Sequence, residues 1–445
     1  MKIYETLERD PRSSILANNG QARIDAIRDV RAQQELRSEL EMFVCDGQYG
    51  QALYNILNSF LTESSRSRQK AAWVSGFFGS GKSHLLKMLE HLWANTEFPD
   101  GAKARTLVRR LPDDVLALLR ELDTRARRNQ TRPLAAAGTL LGGSGDRVRL
   151  SILAVILRAC GYPERLPQAT FYLWLRDKGY LEYVRSHVES QGVDFNKALN
   201  DLYVSPLIAD AVLKMDPDLA GDRRQLGQIL HDQFPRPTTD ITTPEFLDLV
   251  RQTLAPDGNV PFTALILDEV QQYIGESEDR SSIFAEVTEA IKTQLDSRVM
   301  VVASGQSALT STPFLQKLRD RFEIRIQLQD NDVETVTRQV LLHKKPSAVA
   351  NVTKTLDEYA GEISRHLRDT RVSPRSEDRT VIVDDYPLLP VRRRFWEETF
   401  RAVDAAGTQS QLRSQLRILD DALKAMADRP LGYVIPADWL YEAIA

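Results

Sequence analysis

The chain is poor in the residues that mark secreted, membrane-spanning or nucleic-acid-coating proteins. Only two cysteines, Cys45 and Cys160, occur in 445 residues. They sit at no paired spacing, which excludes a disulfide scaffold and a cysteine zinc site and fits a reducing cytosol. The six histidines, His84 and His91 among them, lie at no metal-motif spacing, which excludes a zinc hydrolase. No apolar run approaches the roughly 20 residues that span a bilayer. The opening MKIYETLERDPRSS has no apolar core of a signal peptide. These absences predict a cytoplasmic protein with no membrane partner. The net charge is -4, so any contact with nucleic acid has to be local. What remains, 42% hydrophobic and 27% charged residues, is ordinary globular composition, in a chain long enough for about two to four domains.

The patterning predicts an α/β fold. Over residues 1–70 one stretch, YGQALYNILNSFL, has apolar residues at helical spacing. AAWVSG is a short apolar run of buried-strand type, and Leu85, Leu86, Met88, Leu89, Leu92 and Trp93 beyond it follow a helical period. LAAAGTLLGGSG reads as a second strand and turn, FTALILDE as a third, SRVMVVASGQ and FEIRIQLQ as two more. Between the second and third lies a mainly helical insertion at about 142–258. From Asn331 onward the pattern is helical again. Three regions are therefore expected: 1–70, mainly helical; 71–330, an α/β core interrupted by the insertion; and 331–445, a helical lid. PADWLYEAIA gives its last helix barely two turns, which predicts a chain cut from a longer protein.

The run Gly76-Phe77-Phe78-Gly79-Ser80-Gly81-Lys82-Ser83 matches G-x-x-x-x-G-K-[ST], the phosphate-binding P-loop or Walker A pattern, at every fixed position. Glycines let the backbone wrap so that successive N–H groups face phosphate oxygens, and the following helix adds its positive dipole end. Lys82 is expected to reach the β and γ phosphates of ATP, Ser83 to bind Mg²⁺, and His84 closes the set of nucleotide-contacting candidates. In LILDE, Asp268 ends an apolar strand as a Walker B acid holding Mg²⁺, and Glu269 is the candidate base for the attacking water. Ser304 and Gln306, at the tip of the VVASGQ strand, are candidates for contact with the γ-phosphate or that water. Arg319 and Arg321, just before the last strand, are candidate arginine fingers for a neighbouring subunit, or helix-end residues favoured by the dipole. Arg413 and Arg417, four apart on a helix, are candidate lid arginines or a solvated face.

The stretches WVSGFFGSGKSHLLKMLEHLW, LDEVQQYIG, VVASGQSAL and YPLLPVRRRFWEETF together resemble the N-terminal ATPase region of the BrxC/PglY family, the large P-loop proteins of bacterial BREX bacteriophage-exclusion systems. The resemblance runs over most of the chain and is most specific at the P-loop and LDEVQQYIG. It implies an AAA+-like P-loop NTPase with a parallel-sheet core and a helical lid. It also implies work beside a site-specific adenine methyltransferase, an alkaline-phosphatase-like protein and smaller factors, which methylate host DNA and block phage replication. By position, Lys82 and Ser83 match the family's Walker A residues, and Asp268 and Glu269 its Walker B pair. The long separation of the two motifs departs from an ordinary AAA+ unit, and the sensor and finger assignments are read across it. A homo-oligomer with nucleotide is expected. Two other readings stand beside this one. One is a nucleotide-gated scaffold with little turnover, which has no need of Glu269. The other is a DNA-binding or translocating ATPase that uses Arg109-Arg110, Arg127-Arg128 or Arg392-Arg393-Arg394 on phosphates.

Overall fold

The computed structural model of the chain describes residues 1–12, 30–76, 80–141, 147–306, 313–318, 320–328, 334, 337–365, 368–403 and 411–442. At its centre are β1 (Ala72–Gly76), β2 (Leu134–Thr139), β3 (Thr263–Asp268), β4 (Val299–Gly305) and β5 (Ile324–Leu328). They form one five-stranded sheet in the order β2-β3-β4-β1-β5, and every pairing is parallel. The strands form where the sequence places apolar runs, because a parallel sheet is covered on both faces. Every residue of β1, β3 and β4 is buried, whereas the edge strand β5 leaves Arg325 and Gln327 exposed.

Alternate side chains feed two cores. On one face, Ala72, Val74, Ile266 and Val302 pack under the helices Gly47–Glu63, Lys82–Ala94 and Asp113–Arg128. On the other, Trp73, Leu265 and Val301 pack under Val148–Ala159, Thr243–Leu254 and Glu278–Gln294. The result is a helix–sheet–helix sandwich. Among the described residues seven helices lie between β2 and β3, from Val148–Ala159 to Thr243–Leu254. The first and last of them cover the sheet. The stretch between, Leu166–Asp177 through Arg223–Gln233, has its own core around Phe171, Val184, Phe195, Val212 and Leu230.

The chain beyond β5 is helical, with Pro346–Glu358, Asp378–Asp385, Pro390–Val403, Gln411–Met426 and Ala437–Glu442. Ile3 and Leu7 from the start of the chain share a core with Trp396 and Leu419 here. Among the described residues no helix is long and apolar enough to cross a membrane.

One expectation is corrected in this region. Arg392-Arg393-Arg394 is neither a solvated face nor free for phosphate. Arg393 is buried and donates to the fully buried Asp385 at 2.5 and 3.1 Å. Arg394 grips Asp378 with two hydrogen bonds of 2.7 and 2.8 Å, and Arg392 donates to the Ile435 carbonyl. The acids that balance these arginines lie 8 to 16 residues upstream, so a reading of the basic run alone misses them. Arg109, Arg110, Arg127 and Arg128 are exposed.

β1 and β4 are neighbours whose chain continuations run in opposite directions along the sheet, β1 toward β2 and β4 across β1 to β5. In an open parallel sheet a crevice opens at such a point, beyond the carboxyl ends of the strands.

Candidate functional site

The described residues of the glycine loop and of LILDE meet at this crevice. Gly76 ends β1, and Lys82 begins the 13-residue helix Lys82–Ala94 behind a left-handed Gly81 at φ 86°. Both glycines are required by what surrounds them. A Cβ on Gly76 would lie 2.5 Å from Ser80 Oγ and 2.9 Å from the Leu328 carbonyl, and one on Gly81 would run into the Tyr49 hydroxyl. Ser80 is 5% exposed, and its hydroxyl is buried with no hydrogen-bond partner. Lys82 Nζ donates to the Gly76 carbonyl at 2.7 Å. Burial lowers the Lys82 ammonium below its ordinary proton affinity, opposed by the charges of Asp268 and Glu269. Ser83 is half-buried in the same helical turn. Phe77, Phe78 and Gly79 lie outside the described residues.

Asp268 is the last residue of β3 and is buried. Ser304 reaches it from β4, donating from Oγ to Asp268 Oδ1. The Glu269 amide donates to Asp268 Oδ1 at 2.9 Å and to Ser304 Oγ at 3.0 Å. Glu269 itself is left-handed, at φ 56°, a conformation that costs energy for a residue with a Cβ. Those two acceptors hold it there. Burial and the neighbouring Asp268 charge raise the Glu269 carboxyl above the usual glutamate value, opposed by Lys82 and by a hydrogen bond from the Thr139 hydroxyl.

The other candidates are distributed unevenly. Ser304 belongs to the cluster, but its hydroxyl bonds to Asp268 and the Glu269 amide, so it braces the acids. Gln306 lies just beyond β4 and is exposed. His84 packs edge-on against Phe43, ring centroids 5.5 Å apart. Arg321 lies at the other end of the sheet, before β5. Its guanidinium is 3.5 Å from Glu289, and its carbonyl accepts from the fully buried Lys292 at 2.8 Å. Arg319 lies outside the described residues, as does the side chain of Arg413, although the backbone of Arg413 belongs to the helix Gln411–Met426. Arg417 on that helix is exposed.

Two residues at the site have no motif to announce them. Thr139 ends β2 and stands opposite Asp268 in register, which brings its hydroxyl to Glu269. Tyr49 donates from its hydroxyl to the Ser80 carbonyl at 3.1 Å. The register of the strands is the signal for Thr139, and it needs the strand order to be read.

Chemically, the crevice joins a half-buried cation, a helix N-terminus and two carboxylates of unlike environment. Among the described residues no group of three or more His, Cys, Asp and Glu side chains is placed to hold a metal ion. Ser83 and Asp268 carry hard oxygen donors of the kind that Mg²⁺ commonly takes in ones or twos together with phosphates and water. No protein-family model matches the chain.

Proposed function

We propose that the chain binds ATP at the glycine loop and hydrolyses it. One arrangement carries this reading. The Lys82 ammonium, anchored on the Gly76 carbonyl at the end of β1, and the Asp268 and Glu269 carboxylates, at the end of β3, lie at the same edge of the sheet, with Ser304 from the intervening β4 bracing the acids. Glycines stand where side chains would block the loop. In this reading Gly76 to Ser83 wrap the phosphates, and Lys82 faces the β and γ phosphates. Ser83 and Asp268 hold Mg²⁺, which neutralises phosphate charge when bound. Glu269 orients water and takes its proton. A passive nucleotide-gated scaffold has no need of the second carboxylate, Glu269, beside Asp268, which favours turnover.

The biological setting rests on the resemblance to the BrxC/PglY proteins. The chain then acts as an AAA+-like oligomer in a bacterial BREX complex, coupling nucleotide state to assembly or remodelling for host DNA methylation and phage exclusion. Native mass with and without Mg-ATP tests the oligomer.

Lys82→Ala tests the site itself. It removes the cation, and with it charge-assisted contacts worth roughly 1.5–3 kcal/mol each. Equilibrium titration should show tight ATP binding by the parent and none by a folded variant. Equal affinities would exclude the glycine loop as the site.

A further inference from the structure

We propose that Tyr49 is a positioning residue of the glycine loop, aiming the Gly81 amide from outside the sheet core. The inference rests on the nucleotide reading above and adds a residue that no phosphate-loop pattern contains. Tyr49 lies in the first turn of the helix Gly47–Glu63 and is 5% exposed. Its hydroxyl makes two separate demands on the loop. It donates to the Ser80 carbonyl at 3.1 Å, and it fills the space that a side chain on Gly81 would need.

The geometry of the peptide unit gives the first contact its consequence. In a trans peptide the carbonyl of one residue and the N–H of the next point in opposite directions. Anchoring the Ser80 carbonyl on Tyr49 therefore turns the Gly81 N–H away from Tyr49. A flip of this peptide would present a carbonyl oxygen where an amide now points, and an anion would be repelled. The hydrogen bond holds the attractive orientation before ligand arrives.

Neighbouring contacts brace Tyr49 from behind. The Phe43 ring is 6.1 Å from the Tyr49 ring and 5.5 Å from His84 on the loop's own helix. Asp46, the residue before the Tyr49 helix, accepts from Gln339 Nε2 at 3.0 Å. The helical region beyond β5 is thus linked to the loop through Asp46 and Tyr49. The buried, unpartnered Ser80 hydroxyl in the same peptide is a second sign that the loop is shaped for a ligand.

Tyr49→Phe keeps the ring and deletes the donor. Titration with ATP, ADP and AMP, with the melting temperature of the nucleotide-free protein measured alongside, tests the proposal. Losing one neutral hydrogen bond should weaken ATP and ADP binding about 3- to 10-fold. AMP, which lacks the β and γ phosphates, should bind the variant and the parent alike, and the melting temperature should fall by no more than about a few degrees, the cost of one buried hydrogen bond. In turnover, KM for ATP should rise more than kcat falls. Unchanged ATP affinity overturns the proposal, and so does an equal loss for AMP, which would mark a general packing defect. Failure of the parent to bind any of the three overturns the nucleotide reading, and the role of Tyr49 with it. Gly81→Ala gives an independent check. In the parent it should abolish ATP binding, and combined with Tyr49→Phe it should recover part of it, since the hydroxyl it meets is gone. The recovery is partial because the left-handed Gly81 backbone strains any residue with a Cβ.

Discussion

The hydroxyl of Ser304 donates a hydrogen bond to the carboxylate of Asp268, tying the end of β4 to the end of β3. The Glu269 amide bonds to both partners, so three residues share one small network. Ser304→Ala removes the donor to a charged acceptor and one of the two acceptors that hold Glu269 left-handed. A hydrogen bond to a charged group is worth roughly 1.5–3 kcal/mol. ATP hydrolysis should fall about 10- to 100-fold while ATP affinity stays within about 3-fold. Steady-state rates and titration on the same preparation check this. A loss confined to affinity would place Ser304 on the nucleotide instead of the acids.

Glu269→Gln should separate binding from cleavage. Glutamine keeps the shape and a hydrogen bond but takes no proton, so affinity should persist and hydrolysis drop about 10²–10⁴-fold. The pH profile carries its own sign. A base acts in its charged form, and burial together with Asp268 raises the proton affinity of this carboxyl above its ordinary value of 4.5. In the parent, kcat/KM should therefore fall as pH is lowered through that raised value, with the acid limb above pH 4.5. The limb should vanish in Glu269→Gln. An unchanged limb would assign it to another group.

Arg321 stands at the wrong end of the sheet to serve its own loop. Ile324 pairs with Ala72, and Leu328 with Gly76, so the two ends of β1 are roughly 13 Å apart at the usual rise per residue. Arg321 precedes the first pair and Lys82 follows the second. As a finger it can act only on a neighbouring copy. Arg321→Ala should bind ATP normally and hydrolyse it poorly, by a factor on the order of 10³–10⁵ if the interface is well ordered. Mixing it with Glu269→Gln should restore activity, because some interfaces then pair an intact Glu269 with an intact Arg321. If Arg321 serves only its exposed ion pair with Glu289, the variant keeps its turnover and loses about 0–1 kcal/mol of stability.

Asp385 is the fully buried acid between Arg338 and Arg393, which approach it at 2.7 and 2.5 Å. Asp385→Ala leaves two guanidinium groups without their shared anion. Breaking a buried pair in this way costs about 3–5 kcal/mol, to be read from denaturant unfolding. Arg393→Ala should likewise destabilise. In filter binding over a salt series it should leave any DNA affinity and its salt dependence unchanged, since a group held inside the protein releases no counterions from DNA. A reduced salt slope would return the arginine cluster to the surface.

The fold was legible wherever burial is total. β1, β3 and β4 are covered on both faces, so the sequence must supply mainly apolar runs there, and AWVSG, TALILD and VMVVASG do. The acids at the site could be read because Asp268 and Glu269 follow such a run directly. Thr139 could not be read, because a threonine after alanines means nothing until β2 is known to lie beside β3. Tyr49 was hidden by the 31 residues that separate it from Ser80. The basic run Arg392-Arg393-Arg394 misled for the opposite reason: charge reads as surface, yet each guanidinium has an acceptor that only the tertiary packing brings near.

The helices between β2 and β3 form a parenthesis inside a single β–α–β crossover. Parallel neighbours need a connection that returns to the far edge of the sheet, usually through a helix, and Val148–Ala159 and Thr243–Leu254 already supply it, packed together on the same face. Everything around Phe171 and Phe195 is additional to that need. The sheet is therefore indifferent to how much sequence the parenthesis holds. Length could grow or shrink there without moving Asp268 relative to Lys82, leaving the outer part of the inserted body free to change its contacts while the crevice keeps its chemistry.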